Sequence, residues 1–320
     1  MNVKFAAYGC LIVSTFCFGQ NSTNSNNFNS AEIKNTSVDV ASLFGDDNYL
    51  EVEELPKVYS VINSKCPIDT DYLLINQNEI DNFYNKNRCT QIQGSLFIGT
   101  FRDLTVESDI FNLKGLGLIT SVRDNLYIKV LNLVEDINPL SSIKYVGGDI
   151  QVFGNEHLTN IDGLSNINAL HGEIIVGYNV SLVDLNGLKN IKSVDSDISI
   201  IGNHALNNLN GLSGISKIGG SLLIQGNLAL TSLDGIDNIS ANQGVSILKN
   251  PALESLNGLN INQIEEHPSE YIYINDNRIL TECSNACPLI EDANTQYMLI
   301  ISGNSGSCRN ASTLLSTCSE

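Results

Sequence analysis

From Gly148 to Leu259 the apolar and polar positions repeat in five successive segments. They begin GDIQVFGNEHLTNIDGL at Gly148, GEIIVGYNVSLVDLNGL at Gly172, SDISIIGNHALNNLNGL at Ser196, GSLLIQGNLALTSLDGI at Gly220 and GVSILKNPALESLNGL at Gly244. An asparagine recurs at Asn155, Asn179, Asn203 and Asn227, each 24 residues after the last, and at Asn250 after 23. A glycine recurs with the same steps at Gly163, Gly187, Gly211, Gly235 and Gly258. A fixed period of this size predicts a solenoid.

Within one repeat the apolar positions are Ile150, Val152, Leu158, Ile161, Leu164, Ile167 and Leu170. The I-x-V stretch alternates with period two, which predicts a strand. The later three-residue spacing, interrupted by glycine and crowded with Asn, Asp and Ser, reads as short strand pieces joined by bends. Burial stabilises by about 1.5–3 kcal/mol per large apolar side chain. Ordering the backbone costs roughly 1–2 kcal/mol for each residue. One turn therefore cannot fold alone, and neighbours must close each other's apolar faces. The repeated Asn tolerates left-handed backbone and, stacked at a corner, predicts a hydrogen-bonded ladder. The repeated Gly predicts a second bend with positive φ. Both are structural positions.

The flanks extend the pattern. Strand starts fall at 96, 126, 150, 174, 198, 222, 245, 272 and 299, which gives about eight turns with an insertion around Thr100 to Ile110. Upstream, Asn76 with Glu79 makes a capping-box-like start. Ile80, Phe83 and Tyr84 then share one face of a short helix that would lid the first turn. Met1 to Gln20 carries one Lys and an uncharged run from Phe5 to Phe18, the form of a secretory signal peptide. Residues 21–65 read as a flexible leader, polar from Asn21 to Ser37 and acidic from Asp46 to Glu54. No later segment approaches the roughly 18 apolar residues of a spanning helix, and no membrane anchor is expected. The predicted division is 1–20 signal, 21–65 leader and 66–320 solenoid.

Charge narrows the partners. Lys and Arg number 17 against 35 Asp and Glu, a net charge of −18. That disfavours nucleic acid and anionic membrane surfaces, which need clustered Lys and Arg. The expected partner is a protein or a glycan.

The segment Cys66…Cys89-Thr-x-Ile-x-Gly-x-Leu-x-Ile, followed by G-x-I-x-V-x-x-N-x-x-L-x-x-L-x-G-L units, resembles the receptor L domain family over roughly Cys66 to Cys318. The stretch ILTECSNACPLIEDANTQYMLIISGNSGSC resembles the end of repeat arrays in secreted proteins of Bacteroidetes-type bacteria. The resemblance implies a right-handed, leucine-rich-repeat-like β-helix with disulfide-tied ends, an all-β fold apart from the capping helix. It also implies a sheet face that meets a ligand.

Setting aside Cys10 and Cys17 in the signal segment, six cysteines remain, two before the regular repeats and four after them. Six allow fifteen pairings. Clamping of the ends predicts Cys66–Cys89, to which Cys283–Cys308 and Cys287–Cys318 are added as the expected set. The spacing does not fix the order among the last four. Those four, 4, 21 and 10 residues apart, do not match paired zinc-ligand spacing, and no metal or cofactor is expected.

An enzyme is not the expected reading. Asp149, Glu173 and Asp197 stack at one repeat position, and carboxylates one strand apart fit the spacing of glycoside cleavage. They read more simply as strand-edge charges. His157, His171, His204 and His267 occupy different repeat positions and form no ligand set. A secreted polysaccharide-cleaving β-helix and a purely structural surface spacer are the alternatives. The favoured function is a secreted or cell-surface binding module. The central residue of each I-x-V strand points away from the core. Along the array this position reads Phe97, Tyr127, Gln151, Ile175, Ser199, Leu223, Ser246, Tyr273 and Ile300. Phe97, Tyr127, Ile175, Leu223, Tyr273 and Ile300 are the candidate partner-binding residues.

Overall fold

The computed structural model describes residues 64–100, 108–168, 170–259, 271–287 and 298–319. All lie in the unit Pro56–Glu320. The expected signal segment, all but the last two residues of the expected leader and most of the insertion lie outside the described residues.

Each repeat contributes one strand to a ten-stranded parallel sheet, in chain order. The strands are β1 (Tyr72–Leu74), β3 (Leu96–Gly99), β5 (Leu126–Lys129), β7 (Ile150–Phe153), β8 (Ile174–Gly177) and β10 (Ile198–Ile201). They continue with β12 (Ser221–Gln225), β14 (Gly244–Leu248), β15 (Tyr271–Asn275) and β16 (Met298–Ser302). Shorter strands run beside it in two three-stranded parallel sheets. One contains β2 (Gln91–Ile92), β4 (Ser121–Val122) and β6 (Tyr145–Val146), and the other β9 (Ser193–Val194), β11 (Lys217–Ile218) and β13 (Ser240–Ala241). Parallel neighbours joined by crossovers of repeat length are compatible with a parallel β solenoid. β1 precedes every strand start that the sequence pattern supplied. Its YLL segment lacks the flanking glycine and asparagine of the repeats.

The core is built of columns. Leu126, Ile150, Ile174, Ile198 and Leu222 lie in successive register positions and are 0–1% exposed. Ile128, Val152, Val176, Ile200, Ile224, Ile247 and Ile274 form the next column, all fully buried. Leu158, Ile161, Leu164, Ile167 and Leu170 close the far side.

The chain is not all-β, which corrects the expected class. The three-residue apolar spacing curls into single 3₁₀ turns, including Asp162–Leu164, Asn186–Leu188 and Asn210–Leu212. Backbone bonds such as Leu164 N to Ile161 O (3.0 Å) and Ile167 N to Leu164 O (3.0 Å) repeat along the segment. With three residues per turn, side chains at i and i+3 fall on one face. L-x-x-L is therefore the apolar period of this geometry, not of bent strands.

The repeated glycine also works differently. Gly235 and Gly258 do have positive φ, 108° and 91°. Gly163, Gly187 and Gly211 do not; there a side chain would land on the carbonyl oxygen of the preceding turn, at Ile137, Ile161 and Leu185. At those three turns the requirement is close backbone approach.

Helices close the ends. α1 (Gln77–Asn87) starts at Asn76, whose Oδ1 accepts from Glu79 N at 3.0 Å, while Ile75 N donates to Glu79 Oε2 at 2.7 Å. Ile80 and Phe83 are buried in the common core, with Phe83 edge-on to Tyr72 at 5.1 Å. Tyr84 is half-buried, and the Arg88 guanidinium lies 5.9 Å from its ring centre. At the other end α2 (Ala311–Cys318) is capped by Asn310 Oδ1, which accepts from Thr313 N at 2.9 Å, and buries Leu314. Cys66–Cys89, Cys283–Cys308 and Cys287–Cys318 are all bonded, with Cα atoms 5.1, 5.4 and 5.4 Å apart. The pairs are the expected ones, and the last ties α2 to the preceding turn.

Candidate binding surface

A buried ladder fixes the edge of the ten-stranded sheet. Asn155 donates through Nδ2 to Ile128 O at 3.1 Å and to Asn179 Oδ1 at 2.9 Å, and its backbone N–H reaches the same Oδ1 at 3.1 Å. Asn179, Asn203, Asn227 and Asn250 repeat this pattern, and Asn277 and Asn304 continue it. Every member is at most 9% exposed. The sequence pattern missed the last two, yet both sit five residues after a strand start (272 to 277, 299 to 304), as Asn155 does after Ile150. The left-handed residue is the one before each Asn, for example Tyr178 (φ 55°), Gly202 (65°) and Lys249 (55°). The asparagine is kept for its amide instead. One side chain satisfies a carbonyl and an N–H of the preceding turn and also meets the next asparagine's Oδ1, as buried polar groups require. Leu131 starts the ladder without an amide, and its N–H donates to Asn155 Oδ1 at 3.0 Å. Asn179 stands in an N-x-S sequon but is 0% exposed, so a glycan does not fit there.

The strand pairings place the candidate residues in one row. Phe97 pairs with Tyr127, Tyr127 with Gln151, Gln151 with Ile175, Ile175 with Ser199 and Ser199 with Leu223. Leu223 then pairs with Ser246, Ser246 with Tyr273 and Tyr273 with Ile300. β1 adds Leu73 at the start, 56% exposed. Exposure varies along the row. Ile300 is 39% exposed and Phe97, Ile175, Leu223 and Tyr273 are half-buried, whereas Tyr127 (8%), Gln151 (3%) and Ser246 (8%) are buried. The row is therefore not uniformly wet. Phe97 and Tyr127 lie with ring centres 4.9 Å apart and their planes tilted by 36°, and Tyr271 stacks on Tyr273 at 4.8 Å.

A second outward row was missed. Two residues on, Lys129, Phe153, Gly177, Ile201, Gln225 and Leu248 follow one another in register. Phe153 meets Tyr178 at 5.1 Å. The same period-two rule supplies these positions once the strand is read past the I-x-V triplet.

The column Asp149, Glu173 and Asp197 borders the first row. One Asp149 oxygen accepts from Glu173 N at 2.9 Å and the other lies 3.4 Å from the Tyr127 hydroxyl. Asp197 accepts from Ser221 N at 2.6 Å, and upstream Asp71 accepts from Ser95 N at 2.6 Å. Glu173 accepts from Gln151 Nε2 at 2.9 Å. Burial and then the Asp149 charge raise the Glu173 carboxyl above its usual range. Burial, Asp149 and Glu173 push the Tyr127 phenol far above the phenol range. Lys129 Nζ lies 5.0 Å from the Tyr127 ring centre, and burial lowers its ammonium while the Glu173 charge opposes that.

Other titratable positions are dispersed. His157 and His204 are exposed, and His171 pairs with Asp195 at 2.8 Å on the surface. His267 lies outside the described residues. Among the described residues no group of His, Cys, Asp and Glu is placed to hold a metal, and no helix is long and apolar enough to cross a membrane. Three disulfides point to an oxidising, extracellular setting. No protein-family model, curated protein or solved structure matches the chain.

Proposed function

We propose that this chain is a secreted or cell-surface binding module, a right-handed β-solenoid of the receptor L domain kind. It recognises a protein or glycan partner through the outer face of its ten-stranded sheet. The observation that carries the reading is the in-register apolar row on the side of the sheet away from the core columns. Scattered exposed apolar residues are ordinary on any surface, but contiguous aromatic and aliphatic rows mark contact sites. The Asn ladder supports the reading from below, because it holds the strands that present the row.

Leu223→Ser combined with Tyr273→Ala tests it, since both residues are half-buried and neither belongs to a core column. The wild type and the double variant are applied to a glycan array and to intact producing cells. Loss of binding with an unchanged melting temperature is the expected result. Retained binding places the contact elsewhere, and no binding by the wild type favours the spacer.

One observation favours a second reading, polysaccharide cleavage. A carboxyl raised by burial beside a second carboxylate is the arrangement of a general acid and its partner, and Glu173 beside Asp149 has it. Release of reducing ends from a polysaccharide panel, abolished by Glu173→Gln, establishes that activity. No release by the wild type removes it.

A further inference from the structure

Resting on the binding-module reading, we infer that the partner is a neutral glycan. Its sugar rings pack on the stacked Tyr271 and Tyr273 side chains, and its hydroxyl groups meet the uncharged polar groups of β12, β14, β15 and β16.

The two tyrosines form a built platform. Ser221, Gly244 and Tyr271 are neighbours in register on β12, β14 and β15. The Tyr271 side chain crosses Gly244, and its hydroxyl donates to Ser221 Oγ at 3.1 Å. The glycine is required for this crossing. A Cβ at position 244 would come within 3.0 Å of Tyr271 Cγ, and Gly244 also has φ 143°. Tyr273 stacks against Tyr271, with ring centres 4.8 Å apart and planes 24° from parallel. Both rings are half-buried, so each keeps a surface in water. Held at the hydroxyl, from below and from the side, the Tyr271 ring has little side-chain entropy left to lose on binding.

The surroundings of the platform select the partner. The carboxylate column of the sheet ends at Asp197, and Ser221 takes the next place. Among the described residues of β12, β14, β15 and β16, no outward position from Ser221 to Ser302 carries a charged residue. A charged group pressed on this half of the sheet would lose its water and find no counter-charge, which is costly. A purely apolar patch fits no better. Ser221, Gln225, Asn275 and Ser302 stand around the tyrosines, and covering them without hydrogen-bond partners costs about 1–3 kcal/mol for each group left unsatisfied. A neutral sugar meets both demands. Hydroxyl groups at its rim donate and accept, and the C–H groups on its ring face suit the negative face of an aromatic ring. Leu223 and Ile300 lie in the row of Tyr273 and extend the apolar part of the contact.

The test uses the full chain in affinity gel electrophoresis with a soluble glucan, mannan, xylan and galactan. Polygalacturonate, which is acidic, and intact producing cells complete the set. At least one neutral polysaccharide should slow the wild type, to the same degree at low and at physiological salt, and polygalacturonate should not. Tyr273→Ala should weaken that binding about tenfold or more, whereas Tyr273→Phe, which keeps the ring, should retain it. Ile300→Asp places a charge at an exposed position beside Tyr273 and leaves the stacked pair intact; it should also weaken binding, with a melting temperature close to wild type. Asp149→Asn with Glu173→Gln, in the charged half of the sheet, should leave binding unchanged. Polysaccharide binding that survives both Tyr273→Ala and Ile300→Asp overturns the inference, as does binding lost only in the Asp149 and Glu173 pair. If no neutral polysaccharide binds while the cells are held, and Leu223→Ser with Tyr273→Ala releases them, the partner is a protein; the glycan falls and the binding face stands. If the wild type holds neither polysaccharide nor cells, the binding-module reading falls with it.

Discussion

The backbone N–H of Asn203 donates to Asn227 Oδ1, 24 residues ahead, at 3.0 Å, while Asn203 Nδ2 donates to Val176 O on the strand two behind that of Asn227, at 2.9 Å. Asn203 Oδ1 in turn accepts from Asn179 N at 3.2 Å. A single fully buried amide thus links three turns. Asn203→Ala strands the Asn179 N–H and the Val176 carbonyl, and should cost about 2–4 kcal/mol. Asn203→Asp keeps the acceptor but loses both amide donors and buries a charge, so it should be at least as damaging. Urea denaturation of the two variants checks both statements.

Glycine substitutions separate close approach from backbone freedom. Gly187→Ala drives a methyl group into the Ile161 carbonyl oxygen and should cost about 1–3 kcal/mol. Gly117 has φ −60° and its nearest would-be contacts lie at 3.4 and 3.7 Å. Gly117→Ala should be neutral or slightly stabilising, through the unfolded chain. Equal effects in the two melting curves would contradict the stacking geometry.

Leu209→Asp probes the columns directly. Leu209 is 0% exposed, and an unpaired buried charge should cost several kcal/mol, on the order of 3–5. The check is its urea midpoint against that of the wild type.

The pH dependence of stability has a definite sign at Glu173. Its folded pKa is raised above the unfolded value. Its stabilising contribution is therefore fully present below the usual glutamate range and is lost as pH rises through the raised folded value. Glu173→Gln removes that loss. The variant should melt at or above the wild-type temperature at neutral pH, and the gap should close as pH falls below about 4. A variant that is less stable at neutral pH than at acid pH, relative to wild type, contradicts the assignment.

Reduction should loosen the ends first. Cys66–Cys89 ties the segment that leads into α1, and Cys283–Cys308 with Cys287–Cys318 tie the last turns. Protease cuts after mild reduction should map near residues 66–89 and beyond Cys283 before the repeats between Gly148 and Leu259 are touched. Mass mapping reads this out.

Much of this architecture was legible because the repeats preserve it. Ile150, Ile174 and Ile198 announce strands by alternation, and the cysteines bracket the array. The 3₁₀ turns were misread because glycine within an apolar segment argues against helix, whereas here Gly163, Gly187 and Gly211 are present for contact with the turn below. Only the stacked neighbour reveals that contact. The candidate row was legible as a register, from Phe97 through Ile300. Its burial was not, because Tyr127 and Gln151 are covered by tertiary surroundings that strand parity does not encode. Phe153, Ile201 and Leu248 escaped notice because the strand was read as a triplet.

The most direct test of the binding face places one charge at its centre and one elsewhere. Leu223→Asp alters the middle of the row, and Val183→Asp alters an exposed apolar residue, 42% accessible, outside the sheet. Both are measured on the surface that the wild type holds, whether array glycan or intact producing cell. Leu223→Asp should eliminate binding and Val183→Asp should retain it, with both variants melting close to wild type. Retained binding in Leu223→Asp, with loss in Val183→Asp, would contradict the account.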